Sequence, residues 1–337
     1  MTSKERSMAV LQGQKADRTP VAPLMMFFAA DRVGVSYKQY VLESEAQIEA
    51  QLNLHENYFL DILTACSDSY LISVDVGGQA VYPENQTPHL VQPIVKTEKD
   101  FKAIKRPDCL RPGSRMKYQI DIVEKLVKAR GEQALIMGWI EMPFAEACNW
   151  CGISAFLEML YEAPTLAHEI LTFITDITIE FVLAQLEAGA PIIGCGDAAA
   201  SLLSVPMFKE FALPYEQRVN AAIKVVGGMT ELHICGNTSH IMQNMSASDA
   251  DLYTIDHMVD FAEACRIYSA AEKTVKANVN PVSDLMQATP QEAMEAAHNC
   301  NRIAKGLRYM LSAGCEIPAA TPDEVYFAFV DTVLNGL

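Results

Sequence analysis

Short runs rich in Val, Ile, Leu and Met alternate along the chain with longer segments of helical periodicity. This alternation is typical of a parallel sheet whose strands are joined by crossover helices, because parallel strands need long connections. Eight strands are predicted, at residues 21–28, 62–66 (with 71–76 as an alternative), 134–139, 191–195, 229–234, 252–255, 274–279 and 308–311. Eight strands with intervening helices predict an α/β fold of the (β/α)8 type, a TIM barrel.

The segments between the predicted strands carry helix signals. Helices are predicted at residues 44–55, 117–130, 154–161, 165–188, 204–225 (interrupted by two prolines), 290–305 and 322–337. We expect Ser44 to cap the first of them in a capping box with Gln47, three residues on. Thr289 followed by Pro290 is expected to begin the helix at 290, because proline suits the first helical position.

The chain is longer than such a barrel requires, with 337 residues against about 250 in a typical one. Part of the excess lies at residues 1–20, which are expected to form an N-terminal helical extension. The rest lies between residues 77 and 131, which are expected to form an insertion after the second strand, over one end of the barrel. No Gly/Ser-rich linker divides the chain, so residues 1–337 are predicted to form a single domain.

Charge and cysteine usage narrow the classes of function. The formal net charge of −16 argues against a nucleic-acid partner, because phosphate contacts need clustered Lys and Arg. No apolar run has the length of a membrane-spanning helix, and the N-terminus lacks a signal-peptide core. Nine cysteines, an odd number scattered over a long chain, do not fit a disulfide framework. We therefore expect a cytoplasmic protein with reduced thiols and no membrane partner.

In this fold the active site is built at the carboxyl ends of the strands. The predicted strand ends carry Asp68 or Asp75, Glu141, Asp197, His233 with Cys235, Asp256, Asn278 with Asn280, and Cys315. Asp and Asn are also ordinary turn and helix-cap residues, so both interpretations stay open for each of them. His and Cys are not turn formers, which makes His233, Cys235 and Cys315 the stronger candidates for a site.

His233, Cys235 and Cys315 are the residue types that bind zinc. Residues two apart on a strand point to the same side, so His233 and Cys235 can face one ion. One imidazole and two thiolates supply three of four tetrahedral ligands, and an open fourth position is typical of a catalytic site. A buried free cysteine is common, so a packing role is the alternative. The other close cysteine pair, Cys148 and Cys151, lies in a predicted helix and is expected to pack in the core.

Four motifs together resemble the uroporphyrinogen decarboxylase superfamily over essentially the whole chain. They are residues 15–21 (Lys-Ala-Asp-Arg-Thr-Pro-Val), 232–238 (Leu-His-Ile-Cys-Gly-Asn-Thr), the Asn-x-x-Pro stretch at 278–281, and 311–318 (Leu-Ser-Ala-Gly-Cys-Glu-Ile-Pro) followed by Thr321 and Pro322. The His-x-Cys step with a distal Cys is similar to the zinc-dependent methylcobalamin:coenzyme M methyltransferase branch. The resemblance implies a (β/α)8 barrel with zinc held by His233, Cys235 and Cys315.

The decarboxylase itself is the main alternative within that superfamily. It carries an arginine-rich segment after the first strand, where guanidinium groups clamp a substrate with several carboxylates. The corresponding segment here, residues 26–32, reads Met-Phe-Phe-Ala-Ala-Asp-Arg and keeps one arginine at its edge. Ser67 and Asp68 match the superfamily's Ser-Asp after the second strand. The missing arginine and the metal-binding set outweigh that match.

The resemblance implies an enzyme that transfers a methyl group from a methyl-corrinoid, brought by a corrinoid carrier protein, to a zinc-activated thiol. Glu141, Asp197 and Asp68 are the predicted catalytic residues, and Asn278, Asp256 and Met26 are the predicted substrate-binding residues. Three alternatives stay open: loading of a methyl donor onto the corrinoid, tetrapyrrole decarboxylation, and a non-enzymatic corrinoid-binding role. Coenzyme M is the familiar acceptor of the branch, but no sulfonate clamp is evident, so the thiol's identity is open.

Overall fold

Seven parallel strands form one curved sheet in the computed structural model, which describes residues 1–276 and 278–334. Their order around the sheet is β1-β4-β5-β6-β7-β8-β9, so the seven strands of this sheet pair in the order in which they occur along the chain. The pair β2–β3 forms a separate antiparallel hairpin. The strands are β1 (Ile62–Thr64), β2 (Ala80–Val81), β3 (His89–Leu90), β4 (Leu135–Glu141), β5 (Ile192–Gly196), β6 (Met229–His233), β7 (Leu252–Thr254), β8 (Thr274–Lys276) and β9 (Tyr309–Met310).

Helices connect the strands and surround the sheet. They are α1 (Ser3–Leu11), α2 (Phe27–Arg32), α3 (Tyr37–Leu42), α4 (Ser44–Asn57), α5 (Leu71–Asp75), α6 (Glu98–Ala103), α7 (Arg115–Arg130), α8 (Pro143–Cys151), α9 (Ile153–Glu162), α10 (Pro164–Glu187), α11 (Val205–Phe211), α12 (Leu213–Val225), α13 (Met242–Met245), α14 (Phe261–Ala270), α15 (Pro290–Ile303) and α16 (Asp323–Leu334). None of the helices in the described ranges is long and apolar enough to cross a membrane.

The barrel prediction is confirmed, but the predicted first strand at 21–28 is wrong beyond one residue. Val21 forms an isolated parallel bridge with Leu311, the residue after β9. Its carbonyl accepts a hydrogen bond from the backbone of Asp61, the residue before β1, at 2.8 Å. Pro20 and Pro23 flank this position and cannot donate to a ladder, which limits the pairing to a single bridge. Residues 27–32 form α2 instead of continuing a strand.

Most of the remaining predicted elements match the structure. The alternative second strand at 71–76 is wrong, because Leu71–Asp75 form the helix α5. In the predicted strand at 274–279, β8 ends at residue 276, Ala277 lies outside the described residues, and Val279 makes an isolated bridge. The seven predicted helices correspond to α4, α7, α9, α10, α11 with α12, α15 and α16; residues 335–337 of the last lie outside the described range. The cysteine pair at 148 and 151 is buried in α8, as expected.

One of the two predicted helix caps is wrong. Thr289 caps α15 in a capping box with Glu292. Ser44 does not cap α4, because Gln47 is buried and donates instead to the carbonyl of Cys66 beside the end of β1. Gln47 therefore makes a long-range contact with Cys66 instead of the capping contact that the local sequence pattern predicts.

Two apolar layers hold the barrel together. One large cluster fills the space between the sheet and the surrounding helices. A smaller cluster fills the barrel interior and includes Val10 and Leu11 of α1. The predicted N-terminal extension therefore closes one end of the barrel. The predicted insertion lies at the other end, where Thr87 and Pro88 beside the β2–β3 hairpin help to line a cavity.

Asp61 joins the two ends of the curved sheet. Its side chain is completely buried and forms ion pairs with Arg6 at 2.7 Å and Arg18 at 2.8 Å. The same carboxylate accepts a hydrogen bond from the backbone of Val21 at 2.7 Å. The carbonyl of Asp61 accepts from Leu135 in β4. Asp61 thus connects α1, the bridge at Val21, β1 and β4.

We expect Asp61→Ala to lower the free energy of unfolding by about 3–5 kcal/mol, because it leaves the guanidinium of Arg18 without a carboxylate, leaves Arg6 with Asp17 alone and removes the acceptor of the Val21 N–H. Asp176→Ala, which removes a half-exposed ion pair with Arg218, is the control and should cost less than about 1 kcal/mol. Urea unfolding of both variants and the wild type measures the difference. A cost for Asp61→Ala no larger than for Asp176→Ala would contradict the role of Asp61.

Candidate metal centre

Three metal-binding side chains meet at the carboxyl end of the barrel. His233 is the last residue of β6, Cys235 follows it closely, and Cys315 lies in the loop after β9. The Sγ of Cys235 is 3.0 Å from the Nε2 of His233 and 3.9 Å from the Sγ of Cys315. One ligand atom from each residue lies within 4.8 Å of the others. The fold therefore brings together the three residues that the sequence suggested as zinc ligands.

The donor set fits a tetrahedral zinc ion. Two sulfurs bound to such an ion at about 2.3 Å lie about 3.8 Å apart, and the two thiols here are 3.9 Å apart. The Nδ1 of His233 lies 3.4 Å from the carbonyl oxygen of Thr254, which leaves Nε2 available as a ligand. The contact with Cys235 and burial raise the pKa of the Cys315 thiol. A cation bound by these residues would favour the thiolate form of Cys315.

The loop after β7 separates the two cysteine-bearing loops and contacts both. Asp256 in this loop accepts a hydrogen bond from the backbone of Gly236 at 2.9 Å. A Cβ at Gly314 would lie 2.4 Å from the backbone nitrogen of His257. Glycine at 314 therefore allows the Cys315 loop to approach this closely. Asp256, predicted to bind substrate, is placed where it sets the position of the loop after Cys235.

A cavity of about 320 Å³ opens beside the three ligands. Its acidic side chains come from the loops after β1 and β9 and from the end of β4. No lysine or arginine lines it within the described part of the chain. The lining residues are Leu24, Met26, Tyr37, Cys66, Ser67, Asp68, Ser69, Tyr70, Thr87, Pro88, Trp139, Glu141, Gly196, Ala198, His233, Cys235, Cys315 and Glu316.

Three further residues singled out from the sequence, Glu141, Asp68 and Met26, line this cavity. Glu141 ends β4 and accepts a hydrogen bond from the indole of Trp139 at 3.3 Å. Burial raises the pKa of Glu141 to about 8. The carboxylate of Asp68 forms an ion pair with Arg115 at 2.8 Å. Among these three, Glu141 is therefore the acid without a cationic partner.

Asp197 and Asn278 lie outside the cavity lining. The side chain of Asp197 accepts from the backbone of Ala145 at 2.8 Å, at the start of α8. Burial raises the pKa of the Asp197 carboxyl, and burial together with the charge of Asp197 raises the pKa of Glu216. The amide of Asn278 donates to the carbonyl of Val259 at 2.8 Å. Both residues connect loops and helices around the barrel, which is the turn-and-cap alternative noted for such residues.

Glu316 is a cavity residue that the sequence reasoning missed. Its carboxylate accepts hydrogen bonds from the backbone of Met26 at 3.0 Å and of Phe27 at 2.6 Å. It therefore satisfies free N–H groups at the start of α2. Burial raises the pKa of Glu316 to about 7. Its position directly after Cys315 was the available signal.

Trp139, also missed, forms one wall of the cavity. A Cβ at Gly194 would lie 2.4 Å from the Cε3 of the indole ring. Glycine on β5 thus makes room for the ring inside the barrel. Trp139 lies two residues before Glu141 on the same face of β4, and this spacing could have identified it.

A buried ion pair joins β6, the strand that carries His233, to β8. Glu231 forms an ion pair with Lys276 of β8 at 2.7 Å, and both side chains are almost completely buried. The hydroxyl of Thr254 donates to the same carboxylate oxygen at 2.6 Å. The carbonyl of Thr254 is the one that faces His233. Glu231 precedes His233 by two residues, so the strand period could have revealed this support.

A model of the uroporphyrinogen decarboxylase family, described as "Uroporphyrinogen decarboxylase (URO-D)", matches residues 2–335. The methylcobamide:CoM methyltransferase MtbA of Methanosarcina acetivorans is 26% identical over 99% of this chain and 98% of its own length. A uroporphyrinogen decarboxylase of Synechococcus sp. is 28% identical over 73% of this chain and 70% of its own length. The methyltransferase relative thus covers more of the chain than this decarboxylase.

Solved structures show the same fold. A methyltransferase from Methanosarcina mazei superimposes with a TM-score of 0.89, covering 98% of each chain at 21% identity. A B12-independent methionine synthase from Shewanella sp. superimposes with a TM-score of 0.60, covering 93% of this chain and 95% of the other at 11% identity. These likenesses support the barrel architecture.

We expect the protein to bind about one zinc ion per chain and Cys235→Ala or Cys315→Ala to lose it on dialysis. Loss of a supporting residue already weakens metal binding about 10–100-fold, so loss of a ligand should weaken it more. Cys265→Ala, which removes a buried thiol of α14, is the matched control. Atomic emission on dialysed samples measures the metal. Zinc retained at full occupancy in Cys235→Ala would contradict the assignment.

Glu146 provides a test of the buried carboxyls. It accepts hydrogen bonds from Ser73 at 2.7 Å and from the indole of Trp150 at 2.8 Å. Burial nevertheless raises its pKa from 4.5 to about 7. The folded protein therefore binds more protons at this site than the unfolded chain between those two pH values. Its contribution to stability is present at low pH and is lost as pH rises through this window.

We expect Glu146→Gln to flatten the fall of the unfolding free energy between about pH 5 and pH 7. The change in slope should be at most about 1.4 kcal/mol per pH unit, the value for one proton. Urea unfolding at several pH values measures the slope. Glu295→Gln, on the exposed face of α15, is the control for removing a carboxyl. An unchanged slope in Glu146→Gln would contradict the assignment.

Proposed function

The chain belongs to the uroporphyrinogen decarboxylase family, and we propose that it is a zinc-dependent corrinoid methyltransferase acting on a small thiol. Relatives that match almost the whole chain are named methyltransferases, which confirms the predicted enzyme class. The proposed reaction moves a methyl group from a methyl-corrinoid to the thiol. The zinc, the corrinoid and the thiol are parts of the proposal.

The convergence of His233, Cys235 and Cys315 beside one open cavity is the observation that carries this proposal. These three residues would hold the ion and leave a fourth position toward the cavity. Bound zinc would ionise a thiol there at neutral pH and keep its sulfur nucleophilic.

In the proposed reaction the sulfur of the thiol attacks the methyl carbon. A carbon–sulfur bond forms as the cobalt–carbon bond breaks, the corrinoid keeps the electron pair of the broken bond, and the thiol proton leaves to solvent. The protein's part is to hold the reacting groups in place. Asp256 and Gly314 maintain the distance between the cysteine loops, and the carbonyl of Thr254 orients His233.

The arginine that the sequence retains does not favour a decarboxylase. Arg32 donates to Asp323 at 2.6 Å and to the carbonyl of Ala319 at 3.1 Å. It is therefore engaged by the segment before and at the start of α16. A substrate with several carboxylates needs cationic clamps, and no lysine or arginine lines the cavity within the described ranges.

A corrinoid carrier protein is the proposed partner. A corrinoid is too large for a cavity of about 320 Å³, so it would meet the barrel mouth from outside while the thiol occupies the cavity.

The nine cysteines are free thiols, which supports the proposed cytoplasmic location.

We expect the zinc-loaded protein to demethylate free methylcobalamin in the presence of a suitable thiol. The change in the cobalamin absorption spectrum measures the rate. Cys315→Ala should react at least about 100-fold more slowly, a loss of about 2.7 kcal/mol of transition-state stabilisation. Cys265→Ala serves again as the control.

The alternatives give different results in the same assay. No thiol-dependent demethylation with any thiol of a broad panel would contradict the proposal. Methylation of a reduced corrinoid by a methylated donor under those conditions would favour the loading direction. Turnover of uroporphyrinogen would favour the decarboxylase.

A further inference from the structure

The charges that line the cavity bear on which thiol it accepts. Apart from the imidazole of His233, its ionisable groups other than thiols and phenols are the carboxyls of Asp68, Glu141 and Glu316. The nearby cations are occupied elsewhere, Arg115 by Asp68 and Lys276 by Glu231. Two thiolates would also cancel the charge of a divalent ion. An anionic tail would therefore find no cation among the described lining residues.

Two of the three carboxyls are already committed. Asp68 accepts from Arg115 and from the backbone of Tyr70, both within 2.9 Å. Glu316 accepts from two backbone N–H groups at the start of α2. Glu141 forms no ion pair with the described residues; its carboxylate accepts from the Trp139 indole at 3.3 Å and lies beside the Ser69 hydroxyl. Glu141 is therefore the carboxyl with capacity to bind a donor in the cavity.

Glu141 is also aligned with the metal centre. It pairs in register with Gly196 of β5, which in turn pairs with His233 of β6. Neighbouring strands are about 4.8 Å apart, so Glu141 and His233 are separated by about 10 Å at the backbone. Gly196 has no side chain between them, and a Cβ there would lie 3.1 Å from both carboxylate oxygens of Glu141. A short molecule can thus span from the metal centre to Glu141 above Gly196.

We infer, on the basis of the proposed function, that the thiol substrate carries an ammonium group and that Glu141 binds that group. The carboxyl would accept the N–H donors of the ammonium while the sulfur lies at the fourth metal position. Burial favours the neutral form of Glu141, and an ammonium group beside it favours the ionised form. A sulfonate or carboxylate tail would meet only acidic side chains, which disfavours it.

Three thiols with the same two-carbon chain test this inference: 2-aminoethanethiol, 2-mercaptoethanol and 2-mercaptoethanesulfonate. We expect kcat/KM for demethylation of methylcobalamin to fall in that order. The ammonium thiol should exceed the sulfonate by at least about tenfold, because like charges disfavour the wrong ligand. Calorimetric titration of the zinc-loaded protein without corrinoid should give the same order of affinity.

Glu141→Gln should reduce the preference for the ammonium thiol over 2-mercaptoethanol to within about twofold, since the amide has no charge to offer. Zinc content, measured in parallel, should stay at the wild-type level. Glu158→Gln, on the exposed side of α9, is the matched control and should keep the wild-type preference.

The outcomes separate this inference from the proposed function. A sulfonate that equals or exceeds the ammonium thiol, or a preference unchanged in Glu141→Gln, would overturn the inference and leave the methyltransferase proposal standing. If the three thiols bind with affinities in the expected order but no methyl transfer occurs, the inference about the cavity is supported and the proposed reaction is contradicted. Absence of binding by all three thiols would overturn the inference directly.

Discussion

The buried carboxylate of Asp61 holds together the two ends of the sheet on which the site is built. It binds Arg6 and Arg18 and accepts from the backbone of Val21. This matters because the first strand of the barrel is reduced to one bridging residue. Because Val21 makes only one bridge to its neighbouring strand, the ion pairs of Asp61 supply connections that a full strand would make through backbone hydrogen bonds. The bridge from Val21 to Leu311 joins this end of the sheet to β9. It thereby sets where the loop after β9 begins and, with it, the position of Cys315.

At the opposite end, the loop after β7 separates the two cysteines and the barrel interior supports the histidine. Asp256 and the close approach at Gly314 fix the loops, while Glu231 and Lys276 form a buried ion pair on the flanking strands. A buried pair of this kind contributes little net stability, but breaking it is costly. The ligand side chains are therefore held before any metal binds. Such preorganisation supports the proposed metal site, which would keep one position open for a substrate.

Several elements of the fold and site could be predicted from the sequence because their signals are local. Apolar runs identify β4 to β7, and the His-x-Cys step places His233 and Cys235 on one side of the chain, since both follow from the two-residue period of a strand. The first strand could not be predicted in this way. Its apolar residues are real, but two prolines and the start of α2 remove the ladder after Val21. The direction of the Asp197 side chain was equally hidden, because it depends on the backbone of Ala145 at the start of α8.

The sequence by itself determined the barrel class, the family and the three residues proposed as metal ligands, because these depend on periodicity and on short motifs. Only the tertiary structure decided which acids face the cavity. Asp68 is paired with Arg115, Asp197 is turned toward the start of α8, and Glu141 lies beside Gly196 at the cavity. All three follow predicted strands and are chemically alike. Their different roles come from partners far away in the chain, which only the folded barrel brings into contact.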